Sequence, residues 1–141
     1  MFRHTFHTWL LSNFIHPFLW YVGCLFMNDM GEACSLAPSI VLLGSFFSIP
    51  SLLILSALLR PIITQRVSTT TRFYYWLITA LIIVVLNSLA AVLLVGEKTS
   101  FYFLCTLPAT IATVLAICIR RNQFLQLVSK TEKEQYETNM I

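Results

Sequence analysis

The chain reads as an all-α integral membrane protein, a four-helix bundle with a short C-terminal cytoplasmic helical extension. Three observations lead there. Of its 141 residues, 57% are hydrophobic and only 11% are charged, against about a quarter charged in ordinary soluble domains. Four continuous apolar runs, at 9–27, 36–59, 73–95 and 101–119, each reach the roughly 17–25 residues that a helix needs to cross the hydrocarbon core. None alternates apolar and polar residues as barrel strands do, so helices must satisfy the backbone. The expected division is a cytoplasmic segment 1–8, a transmembrane domain 9–119 and a cytoplasmic tail 120–141. No separate soluble domain fits.

The first run holds His16, the only charged or imidazole side chain within the four runs, three residues after Asn13 and next to Pro17. Residues three apart share a helix face, and Pro17 leaves the Asn13 carbonyl without its usual partner. An ionisable group at membrane depth turns from lipid and points by default to function. The competing reading is that neutral His16 closes a hydrogen-bond network that holds helices together. Residues 1–8, with Arg3, His4 and His7, read as a solvated tail. This basic start and the Tyr21-Val22-Gly23-Cys24 stretch faintly suggest a cleaved signal. Tyr21 fits such a site poorly and Asn13, His16 and Pro17 break the apolar region, so the first run is expected to stay.

The link 28–35 carries Asp29 and Glu32, and Ser35 is placed to cap the second helix with Pro38 in its first turn. Gly44 and Ser48 form a small-xxx-small pair that permits close helix approach. Their face, with the basic loop that follows, is the expected surface for a partner. Pro50 invites a bend, and Arg60-Pro61 should end the helix. The loop 60–72 holds Arg60, Arg66 and Arg72, then Phe73-Tyr74-Tyr75-Trp76 forms an interfacial belt.

The third helix is broken only by Thr79, Asn87 and Ser88. Residues 96–100 make a tight turn in which Thr99 or Ser100 can cap the fourth helix, and Pro108 bends that helix. After Arg120-Arg121, the spacing of Phe124, Leu127 and Val128 keeps one apolar helical face. Residues 130–137 are polar enough to be solvated or frayed.

Eight of the nine Lys and Arg residues fall at one end of these segments: Arg3, Arg60, Arg66, Arg72, Arg120, Arg121, Lys130 and Lys133. Lys98 alone falls at the other. The positive-inside rule therefore puts both termini in the cytoplasm of a cell membrane. At about 1.5 Å per residue, His16 lies level with Ser51, Thr79 and Thr113, and Asn87 with Ser45 and Thr106. Two polar layers are expected, each interhelical bond worth about 0.6 kcal/mol. The gap between them argues against a proton path.

Several chemistries are disfavoured. Cys24, Cys34, Cys105 and Cys118 include no Cys-x-x-Cys pair, which thiol-to-quinone electron transfer requires. Disulfides Cys34–Cys105 and Cys24–Cys34 are both open. Cys24, Met27, Met30 and Cys34 fall within eleven residues and offer soft sulfur suited to Cu(I). Without a repeated motif they read as apolar filler, so no metal or cofactor is expected. A single intramembrane histidine excludes bis-histidine haem within one chain. All six acidic residues lie outside the runs, which disfavours carboxylate-coupled export. No basic patch is interleaved with exposed aromatics, so no nucleic-acid partner is expected.

What remains is a non-enzymatic protein that, embedded in membrane lipid, binds another membrane protein as an accessory subunit or a toxin-immunity factor. The alternative is a self-associating channel or small transporter lined by His16. Thiol or copper handling at the outer face ranks last.

Overall fold

The computed structural model describes residues 1–26, 44–46, 48–95 and 99–138, and their regular structure is entirely helical. Helix α1 spans Phe2–Phe26, α2 Ile49–Thr64, α3 Thr69–Val95, α4 Thr99–Ile119 and α5 Arg121–Thr138. Among the described residues, Gly44–Thr64 and Thr69–Ala90 are long and apolar enough to cross a membrane. A third crossing is added if Thr106–Ile119 and Arg121–Glu137, which meet at a 56° bend, count as one. The apolar runs lead one to expect four, and α1 is not among those that qualify. Trp9, Asn13, His16, Pro17 and Tyr21 dilute its apolar character.

Helix α1 packs on α4 and α2, and α3 packs on the same two helices from the other side. Helices α1 and α4 run antiparallel: His4 lies beside Phe124, just past the end of α4, while Ser12 bonds Thr113 two turns farther along. Helix α5 folds back against α2 and α3.

Three helix boundaries differ from those the apolar runs suggest, and each has a local cause. Helix α1 begins seven residues ahead of Trp9 because the expected tail is packed: His4, Thr5 and Thr8 are all buried. Helix α2 continues through Arg60-Pro61 to Thr64. Proline removes one hydrogen bond, to the Ala57 carbonyl, but Ile62 and Ile63 are buried in that extra turn and hold it helical. The Thr64 hydroxyl also donates to the Arg60 carbonyl at 3.1 Å. The basic loop thereby shrinks to 65–68, and α3 starts early because Ser68 caps it, its Oγ accepting the Thr71 N–H at 3.2 Å. At the other end of the chain, the polar stretch 130–137 is helical rather than frayed, and most of it is exposed as its polarity implies.

The main apolar core sits where α2 ends, α3 begins and α5 folds back. Leu59, Ile63, Phe73, Trp76, Phe124 and Val128 are its centre. The Phe124 ring stacks on Trp76 at 6.5 Å and meets Phe73 edge-on at 5.8 Å, both favourable aromatic geometries. The apolar face that Phe124, Leu127 and Val128 form is thus turned inward, onto α2 and α3. Beside it, Arg72 and Glu132 pair at 2.6 Å.

Candidate functional site

Helix α1 carries the polar residues that sequence reasoning singles out, and it uses two sides of the helix. Toward α2, four side chains close a circuit. Trp9 Nε1–H donates to Ser48 Oγ at 2.8 Å, and that hydroxyl donates to the Ser45 carbonyl at 2.7 Å. Ser45 Oγ donates to Asn13 Oδ1 at 3.1 Å, and Asn13 Nδ2 donates back to the Trp9 carbonyl at 2.9 Å. The geometry follows from spacing: Trp9 and Asn13 are one turn apart on α1, and Ser45 and Ser48 one turn apart on the facing segment. Toward α4, the Thr113 hydroxyl donates to the Ala109 carbonyl at 2.9 Å, which leaves Ser12 as the donor in the 3.1 Å bond between Ser12 and Thr113.

This arrangement corrects the expected depths. Equal depth for His16 and Ser51 would put Asn13 opposite position 54, yet it bonds Ser45, about nine residues or ~13 Å away. Thr113 is bonded one turn from its expected partner, by Ser12 rather than opposite His16. The physical reason is again the buried start of α1. With residues 2–8 drawn into the packing, the ends of the apolar runs no longer mark a common depth.

Among the described residues, no hydrogen bond joins Asn87 to Ser45 or Thr106 as a second layer would. Ser51 and Thr106 are buried, and Thr79 and Asn87 half-buried. The Thr106 hydroxyl is buried without a hydrogen-bond partner among the described residues. Ser45, expected beside Asn87, belongs to the α1 circuit instead.

His16 stands apart from that circuit. Its Nε2 is buried with no hydrogen-bond partner among the described residues, and its Cε1 lies 4.0 Å from where a Cβ on Gly44 would sit. Gly44 and Ser48 therefore face α1, and the close approach expected of a small-xxx-small pair does not depend on the missing Gly44 side chain. Of the sulfur candidates, the Cys24 side chain and Met27, Met30 and Cys34 lie outside the described residues, as does the Cys105 side chain; Cys118 is an exposed free thiol. Among the described residues no three His, Cys, Asp or Glu side chains gather as a metal site.

Sequence reasoning missed the other end of α1. His4 and His7 read as solvated, but His4 is buried against the edge of the Trp76–Phe124 stack, with ring centroids at 6.4 and 6.0 Å. Burial first, then the charges of Arg120, the amino terminus and His7, lowers its pKa to about 4. The available signal was Thr5 and Thr8, one and four residues after His4, which are small hydroxyls rather than charges. The Thr8 hydroxyl donates to the His4 carbonyl at 2.9 Å and so needs no water.

The hydroxyls, amide and indole of this circuit bond one another or the backbone, with no carboxylate or imidazole among them. They supply register and adhesion between helices. No protein-family model matches this chain, and neither a curated protein nor a solved structure is similar to it.

Proposed function

We propose that this is a non-enzymatic multi-pass membrane protein, crossing four times with both termini cytoplasmic, that acts by binding another membrane protein. The observation that carries the reading is the division of labour on α1. Its Trp9, Ser12 and Asn13 side chains are bonded within the chain, while Leu10, Phe14, Phe18 and Tyr21 form an exposed ridge along the opposite side. Rings at i, i+4 and i+7 build the kind of ridge that seats in the groove of a neighbouring helix. That ridge replaces the Gly44/Ser48 face as the expected contact, because the latter is turned toward α1.

The cytoplasmic placement of both termini draws support from charge. Arg3, Arg72, Arg120 and Arg121 collect at the end where α1 starts and α5 folds back, the end to which eight of nine basic residues belong. A photoreactive residue at Phe14 or Phe18 tests the partner reading in native membranes. A cross-link to one foreign membrane protein, lost when the probe moves to buried Trp20, is the expected result. Cross-links to lipid alone would overturn it.

A second reading has its own observation. The unpartnered His16 Nε2 suits a group that meets water or an ion in a self-assembled channel. Ion flux through the purified protein, lost or made pH-insensitive in His16→Ala, is its signature; unaltered flux removes His16 from that role. Thiol or copper handling is kept last, and intact-mass measurement of four free thiols without copper would end it.

A further inference from the structure

The end of the molecule at the α4–α5 bend carries positive charge that its own acids do not neutralise. Arg72 is matched by Glu132, and Lys130 lies 3.9 Å from Glu134. Arg120 and Arg121, at the bend itself, have no acidic partner among the described residues. Both are nevertheless held in place. The Arg121 guanidinium lies over the Phe73 ring, 5.6 Å from its centroid, a cation–π contact that fixes its position while leaving its N–H donors free. The Arg120 Nε is buried with no acceptor among the described residues. A guanidinium in this state favours a phosphate or carboxylate group, whose two oxygens accept parallel N–H bonds.

The apolar surface leading to the bend narrows the choice of anion. Ile111, Leu115 and Ile119 are exposed at four-residue intervals on α4, so they form one ridge that ends beside Arg120. A ridge of this kind continues a cationic site into an acyl-chain track, which a free anion would not use. A zwitterionic headgroup would bring a third cation to a site that already holds two.

We propose that the α4–α5 bend binds an anionic phospholipid, its phosphate on Arg120 and Arg121 and an acyl chain along Ile119, Leu115 and Ile111. The site goes beyond the partner-binding function and needs only that the chain be embedded in a bilayer. Alkaline extraction of native membranes tests that embedding separately, so the two ideas fail independently.

The experiment compares the full chain in nanodiscs of phosphatidylcholine alone and with phosphatidylglycerol added. Thermal unfolding is expected to shift upward by at least about 3 °C in the anionic bilayer, because the ligand binds the folded state. The R120Q/R121Q double variant should lose the shift, and K130Q/K133Q, which removes equal charge from α5, should keep it. Equal shifts in all three proteins, or none in the wild type, would overturn the site. So would an equal shift from inorganic phosphate in the neutral bilayer, which would assign the arginines to a free anion. If R120Q/R121Q does not fold, native mass spectrometry of the wild type decides: retained phosphatidylglycerol in preference to phosphatidylcholine is expected, and retention of neither refutes the proposal.

Discussion

Two regions of this molecule are held together by different forces. At the end where α5 folds back, Leu59, Ile63, Trp76, Phe124 and Val128 are almost completely buried. Along α1 the packing on α2 and α4 is joined by a few hydrogen bonds, most of their side chains half-buried. On the proposed four-span topology the two regions meet different solvents, water at the aromatic end and lipid along α1. Near water, burying apolar surface is strongly favourable, whereas in lipid a leucine gains little by touching another helix rather than an acyl chain. The aromatic end should therefore hold the helices together, and the polar seam should set their register at small energetic gain.

The comparison breaks most readily at Phe124. It touches Trp76, Phe73 and His4 and joins α5 to the rest. Phe124→Ala should cost about 3–5 kcal/mol, as large-to-small changes in aromatic cores do. It should also expose α5 to protease. Unfolding in mild detergent measures the first effect and limited proteolysis the second. A loss below that of any seam variant would invert the argument.

His4 gives the next largest effect, with a pH signature. Its folded pKa, about 4, lies below the ordinary 6.5, so between these values the unfolded chain binds the proton and the folded one does not. Stability is full above pH 6.5, falls as the pH drops toward 4, and levels off below that, a total loss of roughly 3 kcal/mol. His4→Leu keeps the packing and removes the proton site, so its stability should not fall in that window. A variant that retains the wild-type slope would place the titrating group elsewhere.

A smaller effect is expected at Arg72 and Glu132. Arg72 is nearly buried but the Glu132 side chain is 42% exposed, so solvent screens the pair. Glu132→Gln should cost about 1 kcal/mol, less at high salt. A salt-independent cost would mean that the contact acts through packing alone.

The helical class and much of the core were legible because they rest on composition and period. The face of Phe124, Leu127 and Val128 could be read from its spacing, but its packing against α2 and α3 rather than along a membrane surface could not. Depth was not legible. It requires knowing where each helix begins, and apolar runs report only where charges stop. His4, Thr5 and Thr8 look like a tail because histidine and threonine are polar, yet each is buried, with the Thr8 hydroxyl bonded inside its own helix. Pro61 misled in the same way: one lost bond is a local penalty, and two buried isoleucines outweigh it. Within the candidate site, Asn13 and Ser45 stood out as polar residues in apolar runs. Trp9 did not, because an indole at the start of a span reads as an interfacial anchor whichever way its N–H points.

The smallest effects belong to the seam, and they decide whether it sets register or strength. Ser45→Ala removes the donor to Asn13 Oδ1, and Asn13→Ala removes both that acceptor and the bond to the Trp9 carbonyl. A double-mutant cycle on the pair should return a coupling of about 0.6 kcal/mol, the usual size of a hydrogen bond between membrane helices. Gly44→Ala should change stability by less than about 0.5 kcal/mol, because the added Cβ meets only His16, at an ordinary contact distance of 4.0 Å. The informative outcome lies in geometry rather than energy. If the seam sets register, the double variant should change the pattern of cysteine cross-links between α1 and α2 while its melting temperature stays near that of the wild type. An unchanged pattern would mean that the aromatic end fixes both position and strength, and that the circuit only satisfies polar groups that lipid cannot.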